Sequence, residues 1–382
     1  MVESHTEILR NFTACRVLVI GDLMLDECLW GHIQRISPEA PVPILNLVRR
    51  GYALGGAGNV VRNLKTLGAH VVALGAVGED STGGQILRLL DDLGVDSRGV
   101  LCDPGRRSSR KTRLISVEHG QQVFRMDEES VHPLDQPREE ALVARLEAIL
   151  PEIDAILCSD YLKGVLTEGV LQETFQLAKR RNLQVTVAPK DSNRNKYRGA
   201  DVLVPNAVEL ARLAGVAIDE GNWLYRAATQ LFNEIAMQAL LVTRGPEGMS
   251  LFERPNGEVH QADVPTAARS VYDVTGAGDT AVSVFTLSVA AGADRETAVR
   301  LANLASGIVV GKRGTASVTV QEIHERLTEL RALAPKSSVE EPLLAEGLLP
   351  PDLEAARASA NSAVGAKDSV PLRLAKKASE RW

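Results

Sequence analysis

Between Arg138 and Thr243 the chain alternates short β-branched runs with longer segments of helical spacing, and this alternation restricts the fold more than any other feature. A helix over about Arg138–Leu150 precedes a strand at Asp154–Cys158, and a helix at Glu168–Arg181 leads to a strand at Gln184–Ala188. Val202–Val204 is a strand that runs through Pro205-Asn206-Ala207-Val208-Glu209 into a helix. A helix from about Leu224 to Gln238 leads to a strand at Ala239–Thr243. Strands that return through helices pair in parallel and carry those helices on their faces. The expected class is therefore α/β, with a mostly parallel central sheet covered on both sides. Arg16–Ile20 and His70–Ala76 add strands, and Gln85–Leu93 reads as a helix closed by Gly94. Met249–Glu253 and Glu258–Ala262 read as a hairpin around Asn256-Gly257, with later helices at Glu296–Val310 and near Gln321–Ala332.

Two segments break the pattern. Trp30–Val48 holds Pro38, Pro41 and Pro43 with partial alternation, which suits extended edge-like chain. Arg110–Met126 alternates around a turn at His119-Gly120. Together they predict a small accessory sheet.

Two glycine-rich turns open helices. Val271–Val274 reads as a short apolar strand, followed by Gly276-Ala277-Gly278-Asp279 and an apolar helix from Thr280 to about Ala291. Glycines there leave the Gly276, Ala277 and Gly278 amides uncovered at a helix N-terminus, where an anion is favoured. Asp279 beside such a site gives the pair that phosphoryl transfer needs: a base for the hydroxyl and donors for the moving group. A purely structural turn and a dinucleotide fingerprint (Gly276-x-Gly278-x-x-Ala281) compete with that reading. Against the fingerprint, the Asp279 carboxylate would repel a pyrophosphate. The other turn, Gly55-Gly56-Ala57-Gly58-Asn59, precedes Val60, Val61, Leu64 and Leu67 at helical spacing and a stop at Gly68. Asp22 and Asp26 follow the Arg16–Ile20 strand, where open α/β folds meet their ligands. A solvated turn explains them equally well.

The 382-residue chain can bury a large core, and its net charge of −6 argues against a nucleic-acid surface. Cys15, Cys28, Cys102 and Cys158 are scattered, which fits a reducing cytoplasm better than a disulfide framework. The first residues lack the apolar core of a signal peptide. The longest apolar run, Ala281–Ala293, is too short to span a membrane. One domain is expected over residues 1–333. After about Pro335 the composition changes, so 334–382 reads as a flexible tail with a marginal helix at Asp352–Ser362.

Val274-Thr275-Gly276-Ala277-Gly278-Asp279, Gly55-Gly56-Ala57-Gly58-Asn59 and Asn206-x-x-Glu209 together resemble the signature motifs of ribokinase-like (PfkB) carbohydrate kinases. Within that group, four runs resemble the heptose 7-phosphate kinases of bacterial ADP-heptose synthesis. They are Gly21–Asp26, Arg35–Pro43, Ser159–Thr167 and Tyr272–Gly276. Two positions depart from the pattern: Ala188 stands where an aspartate is expected before Pro189-Lys190, and Leu162 where a glycine is expected before Lys163.

The resemblance implies a ribokinase-like three-layer sandwich with a β lid from about 27–50 and 108–127. It also implies ATP and Mg²⁺ as cofactors and a homodimer formed through the lid. The reaction implied is phosphorylation of the anomeric hydroxyl of D-glycero-β-D-manno-heptose 7-phosphate to the 1,7-bisphosphate, in the cytoplasm and with no nucleic-acid or membrane partner. Asp279 is then the base and Gly276, Ala277 and Gly278 the anion hole. Asn206, Glu209, Thr243, Gly245, Asn303 and Lys312 fall to nucleotide and magnesium, the metal being held through water near Glu209. Asp22, Asp26, Gly55, Gly56 and Asn59 fall to the sugar, and Arg113, Arg125, Lys163 and Lys190 to its 7-phosphate. No His-x-Gly-His occurs, so the nucleotidyltransferase fused to this kinase in some relatives is not expected. A kinase for another sugar and a non-catalytic scaffold are the remaining alternatives.

Overall fold

The computed structural model describes residues 2–219 and 221–333. The tail expected over 334–382, with its helix at Asp352–Ser362, lies outside the described residues. Helix α1 (Val2–Asn11) leads to β1 (Arg16–Gly21), the long strands β2 (Leu23–Ile36) and β3 (Pro43–Gly56), and α2 (Ala57–Thr66). β4 (His70–Gly78), α3 (Ser81–Asp92), β5 (Asp96–Asp103) and the hairpin β6 (Ser109–Ser116) and β7 (Gln122–Glu128) follow. Then come α4 (Gln136–Ile149), β8 (Ala155–Ser159), α5 (Glu168–Arg180), β9 (Gln184–Ala188) and β10 (Val202–Leu203). The remainder is α6 (Ala207–Ala214), α7 (Trp223–Glu234), β11 (Ala239–Thr243), β12 (Met249–Glu253), β13 (His260–Val264), α8 (Ala277–Ala290), α9 (Arg295–Val309) and α10 (Val320–Leu333).

Nine strands form the central sheet in the order β13-β12-β11-β10-β9-β8-β1-β4-β5. All neighbours pair in parallel except β11–β12 and β12–β13. The two-residue period of β1 divides the core. Val17 and Val19 pack with α1, α2, α8 and α9, while Leu18 and Ile20 pack with α4, α5, α6 and α7. All four side chains are at most 1% exposed. Burial of each contributes roughly 1.5–3 kcal/mol, which is why alternate residues hold separate helical layers.

The chain leaves β1 at Asp22 and runs at once into the lid, a four-stranded sheet ordered β3-β2-β6-β7. Register places Asp26 beside Lys111 and Lys111 beside Asp127, so these share one face of the lid with Arg113 and Arg125. Glu27, Tyr52, Leu114, Phe124 and Met126 share the other.

Three expectations need correcting. Val271–Val274 is not a strand: Val271, Tyr272 and Val274 are 64–68% exposed. The amides of Tyr272 and Asp273 bond to the Val310 carbonyl at the end of α9, so the run hangs from a helix terminus. Helix α3 starts four residues before the predicted Gln85, because the Asp80 carboxylate accepts from the Gly83 amide at 2.7 Å and caps it. β5 and α1 were not anticipated, since Asp96–Asp103 carries charges at both ends and shows little alternation. Among the described residues no helix is long and apolar enough to cross a membrane.

Candidate active site

The carboxyl ends of β8, β9, β10 and β11 face the start of α8 across a cleft of about 150 Å³, as expected for a parallel sheet. Asp160 and Tyr161 follow β8, Pro189 and Lys190 follow β9, Asn206 follows β10, and Thr243 ends β11. Gly276, Gly278 and Asp279 close the other side.

Asp279 is held from two directions. Asn59 Nδ2 donates to its Oδ2 at 2.6 Å, and the Tyr161 hydroxyl donates to its Oδ1 at 2.7 Å. Arg62 supports this from behind, donating to Asn59 Oδ1 at 2.7 Å and to the Thr315 carbonyl. Gly276 has φ +82°, and a Cβ there would lie 2.9 Å from Asn59 Nδ2. Both constraints demand glycine. Burial raises the Asp279 pKa above the usual carboxylate range, while the bonds from Asn59 and Tyr161 pull it back. The same burial, with the Asp279 charge beside it, pushes the Tyr161 phenol well up, so Tyr161 remains a donor.

The start of α8 corrects one donor. The Ala277 amide is spent on the Val274 carbonyl at 3.2 Å, closing the turn. Among the described residues the amides of Gly276, Gly278 and Asp279 have no partner, so these three, and not that of Ala277, are the donors open to an anion.

At the other end of the cleft, Asn206 and Glu209 form a capping box on α6, with both reciprocal bonds at 2.9 Å. Lys190 Nζ then meets Glu209 Oε1 at 2.6 Å and lies 5.9 Å from the Tyr161 ring centre. Both Glu209 oxygens are thereby engaged, one by the Asn206 amide and one by Lys190. Thr243 lines the cleft. Gly245 opens the short turn after β11, with φ +58°. Asn303 lies apart, donating to the Pro265 carbonyl at 2.7 Å, and Lys312 pairs with Glu322 at 2.5 Å. Near Asn303 a second cavity of about 180 Å³ lies between the 267–270 loop and α9, lined by Ser270, Gly307, Gly311 and Arg326 among others. A Cβ on Gly307 would sit 2.8 Å from the Ala267 carbonyl carbon, so glycine lets the loop approach the helix.

The expected sugar residues divide. Asp22 is 1% exposed, and its carboxylate accepts from the amides of Tyr161 at 2.8 Å, Lys163 at 3.1 Å and Val165 at 3.1 Å. It fixes the loop that carries Tyr161, with little left to offer a sugar. Asn59, too, is turned to Asp279. Asp26 faces the site from the lid, paired with Arg113 at 2.6 Å, and Gly55 makes room because a Cβ there would lie 2.8 Å from its Oδ2. Gly56, at φ +56°, caps α2. Lys163 pairs with Glu129 at 2.8 Å and Arg125 with Asp127 at 2.9 Å. Lys190 belongs with Glu209 in the cleft, apart from these lid cations.

Sequence reasoning missed Tyr161, Arg62 and a buried knot behind them. Asp160 accepts from Lys196 Nζ at 2.6 Å and from the Tyr197 hydroxyl at 2.7 Å. Tyr197 Oη also receives the amides of Lys190 at 3.2 Å and Asp191 at 2.9 Å. The Tyr161 and Lys190 loops are thereby tied together. A polar residue straight after a buried strand was the available signal. Leu162 has φ +57°, a left-handed conformation where the resemblance calls for glycine. Ala188 lines the cleft beside Asp160.

The model of the pfkB family carbohydrate kinases matches residues 16–322. Among curated relatives, the bifunctional protein HldE of Trichlorobacter lovleyi is 45% identical, over 85% of this chain and 64% of its own length. HldE of Syntrophotalea carbinolica is 46% identical over 82% of this chain and 63% of its own. The chain therefore spans a little under two thirds of the length of these relatives. Among solved structures, ribokinase of Arabidopsis thaliana complexed with ribose and ATP superposes with TM-score 0.64 at 19% identity, covering 82% of this chain and 98% of that one. Phosphofructokinase-2 of Escherichia coli in complex with potassium gives TM-score 0.67 at 21% identity, covering 83% and 99%. These structural matches show a shared fold.

Proposed function

Because the chain belongs to the pfkB family of carbohydrate kinases, we propose that it transfers the γ-phosphoryl group of ATP to the anomeric hydroxyl of D-glycero-β-D-manno-heptose 7-phosphate, giving the 1,7-bisphosphate for ADP-heptose and lipopolysaccharide core synthesis. The carrying observation is the Asp279 carboxylate, held by Asn59 and Tyr161 next to the unpaired amides of Gly276, Gly278 and Asp279. The heptose runs quoted from the sequence and the similarity to HldE proteins support the choice of sugar.

Asp279 takes the proton of the attacking hydroxyl. Each of its oxygens already accepts one hydrogen bond and keeps a lone pair for the substrate. The α8 amides receive the charge of the phosphoryl group in transit. Lys190 stands in the same cleft to meet nucleotide phosphate, and Glu209 with Asn206 to hold metal-bound water. Magnesium, which keeps most of its waters, would supply charge neutralisation on the phosphates. The cavity between the 267–270 loop and α9 suits the nucleotide base.

The lid's outer face presents Tyr52, Phe124 and Met126 at 40–59% exposure, an apolar surface suited to pairing with a second copy. The four free cysteines suit a reducing cytoplasm.

The test is ATP turnover with Mg²⁺ against heptose 7-phosphate, ribose, fructose 6-phosphate and adenosine, with products identified by mass and phosphorus NMR. Bisphosphate from the heptose alone is expected. Turnover confined to another sugar overturns the substrate, and ATP binding without turnover on any overturns the heptose assignment and favours an untested sugar or a scaffold.

A further inference from the structure

Besides Arg49, which stacks over the Trp30 ring at 3.6 Å, four cations face this side of the lid or approach it from the Tyr161 loop. Three are paired: Arg113 with Asp26 at 2.6 Å, Arg125 with Asp127 at 2.9 Å, and Lys163 with Glu129 at 2.8 Å. The fourth, Lys111, sits between Asp26 and Asp127 in the register, on the same face, and is half-buried. Among the described residues its ammonium has no hydrogen bond and no carboxylate within salt-bridge distance. A lysine stripped of part of its water without a partner is costly, and the cost is recovered when an anion arrives. Burial is the main influence lowering its pKa, the Lys163 and Arg125 charges add to it, and the more distant Asp127 and Glu129 carboxylates oppose it.

We propose that Lys111 is the specificity-determining contact for a phosphate monoester that the sugar substrate already carries, with Lys163 and Arg125 closing on the same group. The proposal rests on the sugar-phosphate reading above and resolves which cations serve it. Lys190 is excluded because it stands with Glu209 at the nucleotide end. Arg113 is committed to Asp26, which a side chain on Gly55 would crowd. The partners of Lys163 and Arg125 are each more than a quarter exposed, so these two cations can leave them for a dianion. A compact ammonium meets phosphate as a point charge and a guanidinium as a fork, and two ammoniums with one guanidinium favour a dianion over a neutral hydroxyl. The Lys163 backbone is fixed by Asp22, in the loop whose Tyr161 holds Asp279. One loop therefore links the reacting end of the sugar to its phosphorylated end.

The test measures equilibrium binding and turnover of heptose 7-phosphate, fructose 6-phosphate and ribose 5-phosphate, each beside its dephosphorylated sugar, for wild type, Lys111→Gln and Lys111→Arg. Wild type should prefer one phosphorylated sugar. Lys111→Gln should lower that preference by about 10- to 100-fold, mainly through Kd and KM for the sugar, the size of one charge-assisted hydrogen bond. Lys111→Arg should restore most of it, and KM for ATP should move by less than about threefold. Unchanged discrimination in a folded Lys111→Gln enzyme overturns the role of Lys111 and leaves the substrate standing. A wild type that prefers another phosphorylated sugar overturns the heptose alone, and one that binds no phosphorylated sugar better than its parent overturns both.

Discussion

Tyr161 donates its phenolic hydrogen to Asp279 Oδ1 at 2.7 Å, joining the loop after β8 to the first turn of α8 across 118 residues of chain. That bond favours the ionised carboxylate, against the burial that raises its pKa. The base proposed at Asp279 must be ionised to take a proton, so activity should be lost as pH falls through its raised pKa. Tyr161→Phe removes a lowering influence. The acid limb of kcat/KM should move to higher pH, with kcat on the plateau reduced about tenfold. A pH profile of both enzymes checks this, and an acid limb that stays in place contradicts it.

Asp279→Asn removes the proposed base while leaving the α8 amides. Turnover should fall by about 10²–10⁴-fold, the usual worth of a positioned base. ATP affinity by calorimetry should change by less than about threefold, because the backbone amides, Lys190 and Glu209 proposed to meet the nucleotide keep their places.

Gly276→Ala meets two obstacles at once. Its φ of +82° costs a side chain about 1–2 kcal/mol, and the new Cβ presses on Asn59 Nδ2 from 2.9 Å. Denaturant unfolding should show at least that loss of stability. Turnover should fall as well, since Asn59 is displaced from Asp279.

Lys196 is the cation that neutralises Asp160, which is 3% exposed. Lys196→Met strands a buried carboxylate and should cost about 3–5 kcal/mol in urea unfolding. The exposed Arg226–Asp219 pair offers a control: Arg226→Met should cost under about 1 kcal/mol.

Leu162 is 42% exposed at φ +57°, so its side chain gains little contact and bears backbone strain. Leu162→Gly should raise stability by about 0.5–1 kcal/mol, net of the entropy glycine adds to the unfolded chain. A lower thermal midpoint would show that Leu162 packs more usefully than its exposure suggests.

Much of this protein was legible in its residues taken in order. The strands from Arg16 to Thr243 other than β5, the hairpin at Met249, the lid segments and the glycine turns at Gly55 and Gly276 are written in local periodicity and turn chemistry, which act over a few residues. Asp279 stood out because a helix start and a carboxylate are neighbours in the chain. The sequence alone did not place Tyr161, Asn59 and Arg62 around that carboxylate, assign Asp22 to the loop amides, take Ala277 out of the anion site, or leave Lys111 unpaired on the lid. Those relations join residues tens to hundreds of positions apart. They follow from which strand ends the sheet order brings together and from which buried polar groups find partners there, and neither is encoded in any single stretch of chain.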